Sequence, residues 1–318
     1  MKNYPAMPVP YSFLYVLFFP LLMSGCQEKQ PAAQSNTDTY MPIPFPYNLS
    51  QADKKTKLPD ELNEVSGLGY WADEQIYMVQ DELARVYIFD IKKDSVVKVI
   101  PFGETGDFEG IEVLEKNLII TLSTDGILTK ISQFEKEIPK LEKIQTPMTG
   151  EYEPEGLGYL PSSRRLLIAC KEEPEQKSQQ GTEIRNIYYY DIGEEKMGEK
   201  PFASIDLSAV GRVMAGEEDT EETREWKAEF DPRKGESFRP SGIAVHPVTG
   251  EIYIIASVGK LLVVLDSALQ VKHAKHLSRE IFKQPEGICF DPEGNLYISN
   301  EGRDGKANVL RFNYSGEK

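Results

Sequence analysis

From Phe45 onward the chain alternates short runs of β-branched and aromatic residues with turn residues. Ile76-Tyr77-Met78-Val79, Leu118-Ile119-Ile120, Leu166-Leu167-Ile168, Ile252-Tyr253-Ile254-Ile255 and Leu296-Tyr297-Ile298 are the clearest of these runs. Apolar stretches of that length between turn signals predict strands, and their recurrence predicts an all-β protein. Further strands are predicted at 86–89, 127–131, 187–190, 261–265 and 309–312, with outer ones at 96–100, 140–145, 201–207 and around Val271. The turns include His246-Pro247-Val248-Thr249-Gly250 and Asp291-Pro292-Glu293-Gly294-Asn295, which carry the Pro and Gly of tight reversals.

One strand before each run opens on a recurring phrase: Glu64-Val65-Ser66-Gly67-Leu68, Asp107-Phe108-Glu109-Gly110-Ile111, Glu153-Pro154-Glu155-Gly156-Leu157, Arg239-Pro240-Ser241-Gly242-Ile243 and Gln284-Pro285-Glu286-Gly287-Ile288. The glycines at 67, 110, 156, 242 and 287 are 43, 46, 86 and 45 residues apart. A period of roughly 40 to 50 residues marks propeller architectures. The expected fold is therefore one all-β domain over 45–318, a single five-bladed β-propeller. The doubled step leaves a six-bladed ring as the alternative, although the charge-rich stretch 217–229 does not supply four strands. That stretch reads as a solvated helix or loop within a surface insertion at 209–237, and 171–185 reads as a second insertion. The last repeat lacks its outer strand, and the N-terminal segment around Tyr47-Asn48-Leu49 is expected to supply it and close the ring.

In a propeller the first strand of each blade lines the central channel, and residues two apart in a strand share a face. One predicted ring is Ser66, Glu109, Glu155, Ser241 and Glu286, and the ring beside it is Glu64, Asp107, Glu153, Arg239 and Gln284. The second strand runs back to the same rim and brings Gln80, Asp81, Glu82, Asp125, Lys171, Glu172, Asn300 and Glu301 there. Carboxylates crowded on one axis repel unless a cation, Arg239 or protonation relieves them. A hard cation such as calcium takes about six to eight oxygen ligands, so Glu64, Asp107, Glu109, Glu153, Glu155 and Glu286 are the expected metal ligands and calcium the expected cofactor. The blade without acids, with Ser241 and Ser257-Val258-Gly259, would leave room for a ligand.

Other chemistries are excluded by placement. His246 falls on a turn at the opposite rim, and His273 and His276 fall on an outer strand or loop. No histidine base is then available at the mouth, and neither a phosphate-cradling glycine loop nor a Cys/His metal spacing appears. Cys170 and Cys289 sit in apolar runs a repeat or more apart and read as core thiols. A net charge of −15 excludes nucleic acid as a partner and suits cations or basic ligands.

The first residues are of another kind. Lys2, the apolar run 11–23 and Ser24-Gly25 before Cys26 form a secretory leader, shorter than the ~20 residues of a membrane span. Leu22-Met23-Ser24-Gly25-Cys26 resembles the bacterial lipobox, so 1–25 is expected to be removed and Cys26 acylated. Each buried methylene then contributes ~0.8 kcal/mol to anchoring. With Gln27 rather than Asp after the cysteine, the expected location is the outer membrane of a Gram-negative envelope. Residues 26–44, polar and then proline-spaced, read as an extended tether.

Leu58-Pro59-Asp60-Glu61-Leu62-Asn63-Glu64-Val65-Ser66-Gly67-Leu68, Gln80-Asp81-Glu82, Gly106-Asp107-Phe108-Glu109-Gly110-Ile111 and the stretches 166–171, 240–247 and 284–302 together resemble the SdiA-regulated, YjiK-like β-propeller family. The resemblance spans nearly all of 47–314 and implies a cell-envelope propeller, without a settled activity. Its wider relatives imply calcium-bearing propellers of the phytase and phosphotriesterase kind. Three functions are then expected in order: a calcium-stabilised binding module for an unknown small molecule or protein; a calcium-dependent hydrolase of phosphate esters or lactones using Glu109, Glu155 or Glu286; and a protein-interaction scaffold using the insertions.

Overall fold

The computed structural model, which describes residues 44–316 apart from 73, 116–117, 175–176, 218–219 and 304, folds the chain into five successive antiparallel sheets. The leader at 1–25, Cys26 and the tether through residue 43 lie outside the described residues. The first blade is Val65–Trp71, Gln75–Gln80, Leu83–Asp90 and Ser95–Thr105; the second is Phe108–Glu115, Leu118–Ser123, Ile127–Ser132 and Lys140–Gln145. The third is Pro154–Leu160, Arg165–Cys170 and Ile184–Asp191 with two short outer strands, Lys196–Met197 and Ala203–Asp206. The fourth is Arg239–Val245, Ile252–Val258, Leu261–Leu265 and Val271–His276. The fifth is Pro285–Phe290, Leu296–Asn300 and Asn308–Phe312, completed by Lys54–Lys57. The ring is thus the expected five-bladed one, and among the described residues no sixth blade lies between the third and fourth.

The hydrophobic core is divided into seams between consecutive blades. Ile120, Leu122 and Leu128 of the second blade meet Leu157, Leu166 and Ile168 of the third, while Ile119 and Ile131 face back to Tyr77 and Val79 of the first. Leu68 and Met78 of the first blade meet Tyr297 and Val309 of the fifth, which closes the circle. A middle strand therefore buries both faces, and this is why these strands read as continuous apolar runs instead of alternating ones.

The phrase glycines are the inner hinge of this packing. A Cβ on Gly67 would stand 2.8 Å from Glu109 O, and one on Gly242 would stand 2.5 Å from Glu286 O. Gly110 packs in the same way on Leu157, Gly156 on Ile243, and Gly287 on Ser66 O. Each blade thus sets its glycine against the backbone of the next, a separation no side chain permits.

Two expectations are corrected. The closing strand is Lys54–Lys57, paired with Asn308–Phe312, and not the segment around Tyr47. Tyr47 is instead buried in the seam of the fourth and fifth blades, its hydroxyl donating to Gly294 O at 2.6 Å. An outer strand needs little apolar surface, and the lysines of Lys54–Lys57 guard its free edge; an aromatic ring does better in a seam. The second correction concerns the insertions. Helix α1 (Leu207–Ala215), capped by Asp206, buries Leu207, Val210 and Met214 against Val271–His276, so part of 209–237 is core. Helix α2 (Glu221–Glu229), capped by Thr220, carries the charge run and turns Trp226 inward. At the end of 171–185, Glu183 and Arg185 are buried as an ion pair. Cys170 and Cys289 are buried free thiols, as expected.

Candidate functional site

The start of each inner strand and the end of the second strand meet at one rim, with Val65 opposite Gln80, Pro154 opposite Cys170 and Pro285 opposite Asn300. At this rim the ladder slips in every blade: between Val65 and Leu68, Phe108 and Gly110, Pro154 and Gly156, Pro240 and Gly242, and Pro285 and Ile288. Ser66, Glu109, Glu155, Ser241 and Glu286 fall inside these irregularities. A bulge leaves its extra residue out of the ladder and re-aims its side chain. The phrase therefore encodes a bulge, a feature that spacing alone did not reveal.

Glu109, Ser241 and Glu286 border a central cavity of about 10 Å³ among the ring glycines, room for about one water. Any larger ligand belongs at the mouth outside it. There the acids perturb one another. Burial pushes the Glu109 carboxyl up to about 10, helped by the charges of Glu155, Asp107 and Glu286 and by a hydrogen bond with Asp107. Burial raises Glu286 to about 7, with Glu155 and Glu301 adding to the shift while Gln284 and Lys171 oppose it. Asp81 is also raised to about 7, by burial and then by Glu64, Glu301, Glu82 and Asp107; its Oδ1 is buried without a hydrogen-bond partner. Such shifts are what like charges in a poorly hydrated site produce.

Cations compensate the ring unevenly: Lys260 feels the Glu286 charge, Arg303 pairs with Glu301 at 3.7 Å, and Lys171 makes the closest contact. Lys171 Nζ donates to Glu155 Oε1 at 2.9 Å, and the Glu155 side chain is 5% exposed. Burial still leaves Glu155 above its ordinary range, against the pull of Lys171. Arg239, expected to relieve the ring, pairs instead with Glu172 at 2.6 Å and with Glu236. Glu153 is exposed in a left-handed conformation (φ 40°), and its carbonyl accepts from Lys171 N. Asp107 accepts from the Thr124 hydroxyl, Gln80 Oε1 accepts from Glu82 N, and Gln284 Nε2 donates to Glu301. Asp125 is exposed, and Asn300 is buried, donating to Ile281 O and to Asn308 Oδ1. Ser241 donates to Pro285 O and is buried, so the acid-free blade opens no ligand space there.

Among the described residues no three of His, Cys, Asp and Glu come together as a group that could hold a metal ion. The six acids expected as ligands share a rim and a field without forming a cage. The histidines stand where the sequence puts them: His246 beside Tyr47 on the far turn, His273 and His276 on the outer strand of the fourth blade. Sequence reasoning missed Glu112, deeper in the same inner strand as Glu109. Glu112 accepts from Tyr159 N of the next blade at 2.9 Å, and burial pushes it up to about 8. An acid in an otherwise apolar strand interior was the available signal.

The fold and its rim define a five-bladed β-propeller with an acidic central mouth. A model of the SdiA-regulated family matches residues 48–303, and the chain belongs to that family. No curated protein matches it. Among solved structures it is similar to a glutaminyl cyclase of Myxococcus xanthus, at 13% identity and TM-score 0.52 over 84% of this chain and 97% of that one. It is also similar to a luciferin-regenerating enzyme (11% identity, TM-score 0.48, 83% and 96% covered) and to a PQQ-bound aldose sugar dehydrogenase of Streptomyces coelicolor (11%, 0.48, 83% and 97%). At these identities the likeness concerns the fold alone.

Proposed function

We propose that the protein is a lipid-anchored binding module of the cell envelope whose acidic mouth takes a cationic ligand. The observation that carries this reading is the imbalance at the rim: Lys171 serves Glu155 and Arg303 serves Glu301, while burial and acidic neighbours still hold the carboxyls of Glu109, Glu286 and Asp81 well above their ordinary range. A further positive charge at the mouth would relieve that repulsion and let the carboxyls ionise. Because no preformed metal cage supports it, the reading rests on charge, and an organic amine and calcium are its two arms. Thermal unfolding of residues 44–318 in chelator, then with calcium or an alkylamine, tests it, since a ligand of the native state alone stabilises by RT ln(1 + [L]/Kd). A rise in melting temperature that is lost in Glu155→Gln supports the reading; no rise with either cation refutes it.

A second reading rests on Glu286, whose carboxyl is raised to about 7 and feels the Lys171 ammonium. A carboxyl poised near neutrality suits general acid–base work, and hydrolysis of phosphate esters or lactones is the reaction class to screen. Turnover abolished by Glu286→Gln would favour it over simple binding.

The anchor is part of the first reading. Incorporation of labelled palmitate into the full chain, absent from Cys26→Ser, is the expected outcome; equal labelling of the two would remove the anchor.

A further inference from the structure

Away from the mouth, two adjoining grooves flank Trp226 on α2. One, of about 600 Å³, sets Glu221, Glu225 and Glu229 of the helix opposite Arg279 and Glu280. The other, of about 510 Å³, brings in the apolar side chains of Phe45, Leu49 and Ile281. Both volumes lie in the range of ligand sites. Three chemistries meet here. Arg279 is drawn to Glu229 and Lys275 to Glu217, while among the described residues no ion pair engages Glu221, Glu225 or Glu280. Trp226 lines both grooves; its indole is 6% exposed, and its Nε1–H is buried beneath them with no acceptor. The neighbouring His276 ring, 5.3 Å away, holds the indole in place.

We propose that this groove binds an extended peptide segment bearing two or more Lys or Arg side chains. The cations meet Glu221, Glu225 and Glu280, and the intervening side chains rest on Phe45, Leu49 and Ile281 beside Trp226. A free polyamine offers the charge but no side chains for the apolar floor of Phe45, Leu49 and Ile281, which is why a peptide is the better occupant. The site is independent of the acidic mouth.

The chain has two tryptophans, Trp71 and Trp226, so Trp71→Phe leaves the groove as the fluorescence reporter. A capped pentapeptide alternating lysine and alanine is titrated into the full chain. Expected are a saturable change in Trp226 emission, an affinity at least tenfold weaker in E221Q/E225Q/E280Q, and no change in affinity in Glu155→Gln. Calorimetry on the Glu155→Gln chain with both tryptophans, in which the mouth no longer takes the amine, gives the same affinity without relying on the Trp71 variant. Spermine binding as tightly as the peptide, a glutamate–alanine peptide binding equally well, or an affinity lost in Glu155→Gln but kept in the triple variant would each overturn the proposal. So would the lack of any saturable signal.

Discussion

Lys171 Nζ and Glu155 Oε1 lie 2.9 Å apart at the rim of the third blade, the lysine side chain 34% exposed and the glutamate 5%. Removing the lysine leaves a buried carboxylate beside other acids. Lys171→Met is expected to cost about 1 to 3 kcal/mol at pH 8, below the figure for a fully buried pair because the lysine is partly solvated. Because burial holds the Glu155 carboxyl above its ordinary range, the loss should shrink as the pH is lowered from 8 to 5, and Glu155→Gln in the same chain should restore much of it. Urea unfolding of the single and double variants at both pH values measures this.

The mouth carboxyls also set a pH dependence of stability. Asp81 and Glu286, raised to about 7, and Glu109, raised to about 10, bind protons more tightly folded than unfolded. Their contribution is complete below the unfolded carboxyl pKa near ~4 and is lost as pH rises through those folded values. His246 and His273, lowered by burial to about 4, act oppositely: their contribution is complete above the unfolded value near ~6.5 and is lost as pH falls toward 4. Between pH 8 and 6.5 these carboxyls, joined by Glu112 at about 8, outweigh the histidines, whose unfolded forms are only beginning to take up protons, and the urea midpoint should rise on acidification over that window. Asp81→Asn with Glu286→Gln should flatten the rise and raise the midpoint at pH 8. A midpoint that falls from pH 8 to 6.5 would contradict this.

Gly287 and Ser66 join the last blade to the first, and a Cβ on Gly287 would collide with Ser66 O. Gly287→Ala should destabilise by at least about 1 to 3 kcal/mol, the cost of overpacking against backbone. Gly250→Ala, with nothing within 4 Å but a φ of +71°, is the comparison; it should cost only about 1 kcal/mol, the penalty of the left-handed conformation. Thermal melts of the two variants compare seam packing with backbone strain.

Tyr47 links the N-terminal segment to the ring. His246 Nδ1 faces the amides of Val248 and Thr249 as an acceptor, so the ring proton lies on Nε2 and points to the Tyr47 hydroxyl at 2.9 Å. That hydroxyl in turn donates to Gly294 O. Tyr47→Phe strands a buried N–H and a buried carbonyl and should cost about 1 to 3 kcal/mol. Hydrogen exchange should show the loss at the Gly294 turn and spare the mouth.

The inner and middle strands were legible because every seam needs the same apolar run and every blade contact needs the same glycine. The closing strand was not, because Lys54–Lys57 carries no apolar signal and Tyr47 carries a strong one for another purpose. Helix α1 escaped because Leu207, Val210 and Met214 are sparse among polar neighbours and gain meaning only against Val271–His276. The ring of acids was readable from the repeated phrase. Which cation relieves it was not: Lys171 and Arg239 look alike in sequence, and only the paths of their strands send one to Glu155 and the other to Glu172.

The most direct test of the mouth as a cation site is calorimetric titration of residues 44–318 with calcium and with an alkylamine near pH 7, in buffers of different ionisation enthalpy. Binding accompanied by proton release, with the release reduced in Asp81→Asn and Glu286→Gln, is the predicted result. Binding without proton release, or no binding of either cation, would contradict it.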